Sequence, residues 1–273
     1  MISIITAIHN GLAINKFYEA SLKKYTVNPF ELIIIDNASK DGSAEFFENA
    51  GYKVVRNQQN YSYPYCQNQG TKIAKGEYLF FLNNDIVVGP RWDELLIKVA
   101  LQNNVDILSA CDNGNVGDAI VSKHMRRKWK RIKYSVMQLG IHNFSLSLMM
   151  KLMYGNWEKF CNNRYADFDD EIITGIIGDN VMMTRRGLEI AGLWDERIQS
   201  ADFDLFMRVQ QKIEQGVNIK PCSISLGVYI HHFSRMTVKY AAKPAPFADE
   251  KNLIDLKDKW TAEELIKYNP DKA

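Results

Sequence analysis

The sequence has no uninterrupted apolar run of roughly 18 residues, so no membrane-spanning helix is expected. Its start, MISIITAIHNG, lacks the basic region and the small-residue cleavage site of a secretory signal peptide. The four cysteines, at positions 66, 111, 161 and 222, form no CxxC pair. Neither a zinc cluster nor a disulfide framework is therefore expected, and reduced thiols in the cytoplasm are the default.

An excess of one charge sign is also missing. Lys and Arg number 34 against 32 Asp and Glu, so the net charge of +2 gives no argument for nucleic acid as a partner. Hydrophobic residues make up 46% and charged residues 24%, which excludes a disordered chain. At roughly 150 residues per domain, 273 residues allow one large domain or two small ones.

Two glycine-rich loops that commonly bind phosphate are absent as well. No GxGxxG follows the first predicted strand, and GxxxxGK[ST] occurs nowhere. If the chain binds a nucleotide, a metal ion must therefore do part of the phosphate binding. Asp85, flanked by Asn83 and Asn84, is the best-placed oxygen ligand for Mg²⁺ or Mn²⁺.

Short apolar runs alternate with helical patterns over the first 110 residues. Strands are predicted at 2–8, 31–35, 53–56, 78–82 and 105–110, and helices at 14–25, 43–49, 67–75 and 90–102. This alternation predicts an α/β fold with a buried, mainly parallel sheet. Three strands end in polar residues, at His9-Asn10, Asp36-Asn37 and Asn83-Asn84-Asp85. Such strand ends either bind ligands or only supply turn residues.

Residues 112–173 interrupt the alternation and predict a helical insertion. Seven Lys or Arg residues and no acid lie between Lys123 and Lys133. A helical period places Met125, Trp129, Ile132, Val136 and Leu139 on one apolar stripe, of which Met125 and Trp129 either pack on the core or enter lipid. Three alternatives stay open for the basic face: a solvated helix, an anionic membrane surface, or a charged glycan or other partner.

The end of the chain predicts a linker and a helix. Residues 228–232 form a late strand, 243–246 (KPAP) a linker, and 249–268 a helix with apolar Leu253, Leu256, Trp260 and Leu265.

Five segments, in order, resemble the family 2 inverting glycosyltransferases of the GT-A fold, in the rhamnosyltransferase-like, polysaccharide-biosynthesis branch. They are ISIITAIHN at the start, ELIIIDNASKDGS at 31–43, NQGTKIAKGEYLFFLNNDIVV at 68–88, GLWDERIQSADFDLFMRV at 192–209 and IHHFSRMT at 230–237. Asn252 with Lys259-Trp260 resembles the closing helix of that branch.

The resemblance implies a Rossmann-like, mostly parallel mixed sheet flanked by helices, with a helical insertion and a C-terminal helix. The GT-A domain would span 1–240 and the linker and final helix 241–273. Within the domain, 1–110 would bind the nucleotide sugar, 112–173 would be the basic helical insertion, and 174–240 would be the acceptor and catalytic half.

The resemblance also implies the site residues. Asp85 and His232, with His231 as second choice, would hold a divalent cation, Mn²⁺ or Mg²⁺. Asp202 would be the general base that takes the proton of the acceptor hydroxyl in a single inverting displacement. The acceptor would face Trp194, Asp195 and Glu196. The donor would contact Thr6, Ala7, His9, Asn10, Asp36, Asn68, Asn83 and Asn84.

Several of these residues have structural alternatives. Asp36 and Asp195 could be turn residues, Asn68 a helix N-cap, and the late histidines core residues. Asp204 suits a helix-capping role through Arg208 better than catalysis. The sequence departs from the family pattern at Asn83, which replaces the first acid of the DXD-like motif, and at Ala201, which replaces the acid before Asp202.

The reaction implied is sugar transfer from a nucleotide-diphosphate sugar to a hydroxyl of a glycan or lipid-linked glycan. UDP is the commonest donor nucleotide in the family, though thymidine and guanosine occur. The protein would act in the cytoplasm or peripherally on the cytoplasmic membrane face, through residues 123–133. Two alternatives remain. One is a non-catalytic GT-A-fold protein that binds glycan or membrane. The other is a sugar nucleotidyltransferase, but that class has a glycine-rich first turn, which the segment IITAIHNG lacks.

Overall fold

The computed structural model describes residues 1–234, 236 and 246–268. Most of the predicted linker 243–246 and two residues of segment 230–237 lie outside this range. The strands are β1 (Ile2–Ile8), β2 (Phe30–Asn37), β3 (Lys53–Asn57), β4 (Tyr78–Leu82), β5 (Ile86–Val88), β6 (Ile107–Cys111), β7 (Ile172–Thr174), β8 (Asn180–Thr184) and β9 (Ser223–His232).

Helices alternate with these strands. They are α1 (Leu12–Tyr25), α2 (Ser43–Asn49), α3 (Tyr63–Thr71), α4 (Trp92–Asn103), α5 (Ala119–Val136), α6 (Asn143–Tyr154), α7 (Trp157–Phe168), α8 (Arg185–Ala191), α9 (Ala201–Glu214), α10 (Leu256–Lys259) and α11 (Ala262–Tyr268). Two 3₁₀ turns lie at Met137–Leu139 and Glu250–Asn252. Among the described helices, none combines the length and apolarity needed to cross a bilayer.

The nine strands form one mixed sheet in the order β3-β2-β1-β4-β8-β6-β9-β5, with β7 added beside β9. The pairs β3–β2, β2–β1, β1–β4 and β6–β9 are parallel, whereas β8, β5 and β7 pair antiparallel with their neighbours. Six strands therefore run in one direction, as predicted. The carboxyl ends of β1, β2, β4, β6 and β9 and the amino end of β8 meet at one edge.

The central strands are apolar on both faces because helices cover both. Along β1, Ile4 packs in the cluster that contains Tyr18 of α1, and Ile5 packs in the opposite cluster, which contains Leu205 of α9. The same alternation places Phe80 and Phe81 of β4 on opposite faces. All of these side chains are fully buried. The sheet is thus the central layer of the fold. The hydrophobic clusters on its two faces hold in place the edge at which the carboxyl ends of the strands meet.

The predicted insertion consists of three helices, α5, α6 and α7. Trp129 and Val136 of α5 pack with Leu146 and Met149 of α6 in a cluster that also contains Phe233, which follows β9. Met125 is partly buried against the same cluster, so both candidate lipid-facing side chains pack inward. Leu139, expected on the apolar stripe, is instead 54% exposed, because the helix ends before it at Val136.

The single helix predicted over 249–268 is wrong, because extended residues divide the segment. Leu253 and Trp260 both have extended ψ angles, near 136° and 137°. A capping box between Asp255 and Asp258 then starts α10. Helix α3 also differs from its predicted bounds of 67–75, since Pro64 lies in its first turn.

Candidate active site

Hydrogen bonds join the β1–α1 loop to the β2–α2 loop at the edge of the sheet where the carboxyl ends of the strands meet. Asp36, at the end of β2, is 2% exposed and accepts the Ser39 N–H at 3.2 Å. Burial raises the pKa of its carboxyl. Nδ1 of His9 lies 2.6 Å from the carbonyl oxygen of Asn37, and Asn10 accepts the Lys40 N–H at 2.8 Å. Asp36, His9 and Asn10 therefore lie together, as expected for one wall of a nucleoside pocket.

Two of the residues predicted to bind the donor have side chains that form hydrogen bonds in the protein interior. The Thr6 hydroxyl lies 2.7 Å from the Tyr18 hydroxyl in the core, and Thr6 is completely buried. The Asn84 amide donates to Asn15 Oδ1 of α1 at 2.6 Å. The Thr6 side chain is thus a core group rather than a ligand contact. Ala7 and Asn83 are only partly buried at the same edge.

His232 ends β9 with its imidazole between two carboxylates. Nε2 lies 3.1 Å from Asp85 Oδ1, and Nδ1 lies 2.7 Å from Asp179 Oδ2. Burial opposes the charged ring, but the two carboxylates raise the pKa of His232 well above its ordinary value. The His232 N–H donates to Asn113 Oδ1 at 2.8 Å, which fixes the strand end. The predicted pair of Asp85 and His232 is therefore in direct contact.

His231, the second choice for a metal ligand, points away from this edge. It is completely buried, its Nδ1 lies 2.7 Å from the Tyr154 hydroxyl, and its ring packs edge-on against Trp129. Burial lowers its pKa well below the ordinary value. Successive strand residues face opposite sides of a sheet, so only one of two adjacent histidines can reach the site. His231 is a core residue, and that alternative is wrong.

Two further carboxylates, not predicted from the sequence, join His232. The potential ligand atoms of Asp112, Asp179 and His232 all lie within 4.8 Å of one another. Burial, with the nearby charge of Asp179, raises the pKa of Asp112 to about 7. Burial also opposes ionisation of Asp179, but His232 holds its pKa below the ordinary value. Asp112 follows β6 as Asp36 ends β2, so the polar strand end was a usable signal. Asp179 precedes β8, which was not predicted.

Asp112, Asp179 and His232 form a donor set that suits a divalent cation, and Asp85 adjoins it at the other ring nitrogen of His232. Carboxylates offer the oxygen ligands that Mg²⁺ and Mn²⁺ prefer, and an imidazole suits Mn²⁺. The residues present therefore fit a divalent cation.

Asp202 lies in the first turn of α9, beside the segment that carries Asp179. A Cβ atom on Gly178 would lie 2.3 Å from Asp202 Oδ2, so only glycine allows this close approach. Burial raises the pKa of Asp202, and the Asp179 charge adds to the effect. Asp202 is partly buried, and a carboxylate whose pKa is raised is a stronger base than an ordinary one, which suits proton abstraction.

Asp204, two residues further on, is tied into the structure. It is completely buried, accepts Arg208 Nε at 2.8 Å, and accepts the Trp260 indole N–H at 2.9 Å. The predicted pairing with Arg208 is confirmed. Asp202 is thus the acid of this helix turn that remains for chemistry.

Asn68 does not lie with the nucleoside residues. Its amide N–H group donates to Trp194 O and to Glu196 Oε1, both at 2.9 Å, and its oxygen accepts the Trp194 N–H at 3.1 Å. It is not an N-cap either, because α3 begins five residues earlier, at Tyr63. Asn68 holds the turn at 194–196, and both sequence interpretations are corrected.

The predicted acceptor residues form that turn, but their side chains have partners. Trp194 is 3% exposed and packs edge-on against Phe81. Asp195 binds Arg197 and Lys259, each at 2.8 Å, and Arg197 first, then Lys259, hold its pKa far below the ordinary value. Glu196 accepts from Asn68. Trp194 is therefore a core residue, and the side chains of Asp195 and Glu196 are held by partners within the protein.

The family model described as glycosyl transferase family 2 matches residues 3–189, more than half of the chain. The chain belongs to this glycosyltransferase family. An uncharacterized glycosyltransferase of Haemophilus influenzae is 30% identical over 128 residues, which cover 45% of this chain and 44% of the relative. A poly(ribitol-phosphate) β-N-acetylglucosaminyltransferase, TarP of Staphylococcus aureus, is 30% identical over 113 residues, covering 38% and 34%. The matches span less than half the length of these glycosyltransferases.

Solved structures of other glycosyltransferases share the fold. Mannosyltransferase PcManGT from Pyrobaculum calidifontis, in complex with GDP-Man and Mn²⁺, matches with a TM-score of 0.53 and 13% identity over 84% of this chain and 56% of that one. S. aureus TarS 1–349 matches with a TM-score of 0.51 and 14% identity, over 86% and 60%. The expected GT-A architecture of this family 2 chain is confirmed.

Proposed function

We propose that this chain transfers a sugar from a nucleotide-diphosphate sugar to a hydroxyl of a glycan or lipid-linked glycan. One observation carries the proposal: a single edge of the sheet collects a buried carboxyl group at the end of β2, a cluster of carboxyl groups around an imidazole, and a partly buried carboxyl group at the start of α9. These are Asp36, the cluster Asp85, Asp112, Asp179 and His232, and Asp202. Membership of a glycosyltransferase family supports the same chemistry.

The donor would lie along this edge, from β2 to β9. Asp36 would accept a hydrogen bond from the base or ribose, with His9 and Asn10 beside it. UDP is the proposed donor nucleotide. The diphosphate would then reach Asp85 at the end of the β4–β5 turn, next to the cluster.

A divalent cation, Mn²⁺ or Mg²⁺, would be held by Asp85, Asp112, Asp179 and His232. Bound there, it would neutralise the charge that develops on the leaving nucleotide diphosphate. The ligand atoms of Asp112, Asp179 and His232 lie within 4.8 Å of one another, which supports a shared ion. Asp85 contacts the Nε2 atom of His232 and would join them from that side.

Asp202 would act on the acceptor. Its carboxylate takes the proton of the acceptor hydroxyl while that oxygen bonds to the anomeric carbon. The bond from the anomeric carbon to the diphosphate oxygen breaks in the same displacement, so the configuration inverts. Burial of Asp202 strengthens it as a base, and Gly178 leaves room for it beside Asp179.

The proposed location is the cytoplasm, with peripheral contact of residues 123–133 to an anionic membrane. All four cysteines are free and buried, which is consistent with a reducing compartment.

A donor panel with Mn²⁺ or Mg²⁺ tests this function. We expect transfer or slow donor hydrolysis with one nucleotide sugar and a cation. General-base catalysis typically contributes about 10²–10⁴-fold, so Asp202→Asn should lower kcat by a factor in that range. Asp85→Asn should abolish the cation dependence.

The matched control is Asp167→Asn, which changes an exposed acid on α7 and should leave turnover unchanged. Normal turnover in Asp202→Asn would remove its role as the base. Absence of turnover with every donor and cation would favour the non-catalytic binding protein instead.

A further inference from the structure

Helices α5 and α6 form an acid-free surface. Residues 119–157 contain no Asp or Glu. The same stretch contains eight basic residues: Lys123, Arg126, Arg127, Lys128, Lys130, Arg131, Lys133 and Lys151. The near-zero charge of the whole chain therefore hides a long segment of one sign.

The basic residues of α5 divide into an inner and an outer set. Arg126, Lys128 and Lys133 donate to backbone carbonyls, those of Gly114, Met153 and Ser234. The outer set, Lys123, Arg127, Lys130 and Arg131, is exposed and makes no ion pair with any acid in the described part of the chain.

Several exposed basic residues elsewhere are paired with acids. Arg56 pairs with Glu45 and Glu48, Arg91 with Glu94, and Lys98 with Asp169. What distinguishes the outer set of α5 is that its cations lie together in a segment without any acid. Such a set attracts an anionic partner, because no acid among the described residues pairs with it.

An apolar row on α6 lies beside this set. Phe144, Leu148 and Leu152 are spaced four residues apart, which places them on one helix face. Phe144 is 65% and Leu152 50% exposed. A surface cavity of about 510 Å³ joins the two helices, lined by His124, Arg127, Lys128, Arg131, Ile132 and Leu152. The cationic set therefore meets the apolar row at Leu152.

We propose that this α5–α6 face, formed by Lys123, Arg127, Lys130, Arg131, Phe144, Leu148 and Leu152, docks on an anionic phospholipid bilayer. Arginines at the headgroup level and Phe and Leu side chains below it are the pattern of an interfacial helix surface. The cavity between the helices accommodates a lipid phosphate beside Arg127 and Arg131. This proposal specifies which residues make the membrane contact of the proposed function. It rests on the proposed function only for what the docking achieves.

The apolar row favours a bilayer over a charged glycan. A polyanionic glycan would bind the arginines and gain nothing from Phe144 or Leu152. The face belongs to the helix that packs against β9, the strand that ends at His232, because the ring centroids of Trp129 and His231 lie 4.4 Å apart. Docking would therefore bring the site near the surface where lipid-linked acceptors lie.

Vesicle flotation tests the charged part of the face. The full chain is floated with phosphatidylcholine vesicles and with vesicles that also contain phosphatidylglycerol. We expect binding only to the anionic vesicles and its weakening by salt. The double variant Arg127→Glu, Arg131→Glu should bind at least about tenfold more weakly. The control Lys72→Glu, Lys75→Glu makes the same change in net charge at exposed positions elsewhere and should float like the wild type.

The double variant Phe144→Ser, Leu152→Ser tests the apolar part. It should weaken flotation but leave retention on immobilised polyphosphate unchanged. Thermal unfolding by circular dichroism checks that the variants fold, which we expect because the four side chains are exposed. Asp202→Asn should float like the wild type, so docking and catalysis can fail separately.

Three outcomes would overturn the docking surface. The wild type could fail to float with anionic vesicles. Charge reversal at Arg127 and Arg131 could leave flotation unchanged. Binding to polyphosphate without vesicle binding would instead assign the face to a polyanion such as a charged glycan.

Discussion

The role of each acid at the residue scale is set by its neighbours rather than by its place in a motif. Asp202 and Asp204 are separated by one residue in α9. Asp204 is completely buried against Arg208, Trp260 and Lys259, so its charge serves the fold. Asp202 borders Gly178 and Asp179 and stays available to a substrate. The pairing of Asp204 with Arg208 was predictable from their i, i+4 spacing.

Sequence reasoning selected most of the candidate residues that follow predicted strands, although it overlooked Asp112 after β6, and it did not place those that depend on long-range packing. Asp36, Asp85 and His232 lie at strand ends, and their common edge follows from a parallel sheet. Asn68 was assigned to the wrong partner, because its contact with Trp194 spans 126 positions of the chain. No local pattern encodes such a contact.

Asn68→Ala should destabilise the protein rather than abolish donor binding. The amide makes three hydrogen bonds to the turn at 194–196, and its removal leaves the buried Trp194 N–H without its partner. An unsatisfied buried group costs about 1–3 kcal/mol, so the free energy of unfolding in urea should fall by about that amount. Asn162→Ala, at an exposed position on α7, is the control. Unchanged stability with lost donor binding would restore the nucleotide role of Asn68.

At the element scale, largely apolar runs made β1, β2 and β4 predictable. Such runs fit a strand buried on both faces and little else of that length. β7 and β8 are short and antiparallel, and β8 contains two methionines, which carry no strong strand preference. The position of β8 between β4 and β6, and of β7 beside β9, is a property of the assembled sheet.

The C-terminal segment acts as a strap across the 194–197 turn. Asp249 accepts the Ser62 N–H at the start of α3, and the Ile254 N–H donates to Arg197 O. Further along, Lys259 binds Asp195, and Trp260 donates to Asp204. The strap therefore connects α3, the 194–197 turn and α9, the helix that carries Asp202.

Acidification should weaken this strap through Asp195. Arg197 and Lys259 hold its pKa below the ordinary value of 3.8 in the folded chain, so the unfolded chain takes up the proton first. The stability from Asp195 is thus complete above 3.8 and is lost as the pH falls through the folded pKa. Urea unfolding over an acidic pH series should show Asp195→Asn less stable near neutrality and less sensitive to acid. Parallel curves for variant and wild type would contradict this linkage.

At the scale of the whole molecule, the two expected halves build one sheet. β4 from residues 1–110 pairs with β8 from residues 174–240, and the acids Asp85 and Asp179 meet through His232. The insertion packs into the same structure through Phe233. Its basic outer face and the acidic edge carry opposite charges, so the net charge of +2 describes neither surface.

Donor and cation should therefore stabilise the whole chain together. A ligand that binds only the folded state at a hundredfold excess over its Kd adds about 2.7 kcal/mol to the free energy of unfolding. UDP with Mn²⁺ should raise the Tm more than either alone, and GDP and dTDP show which base is preferred. Asp85→Asn should remove the increment due to Mn²⁺, and Asp167→Asn should keep it. If Mn²⁺ raised the Tm of Asp85→Asn as much as that of the wild type, the cation would bind elsewhere than at this cluster.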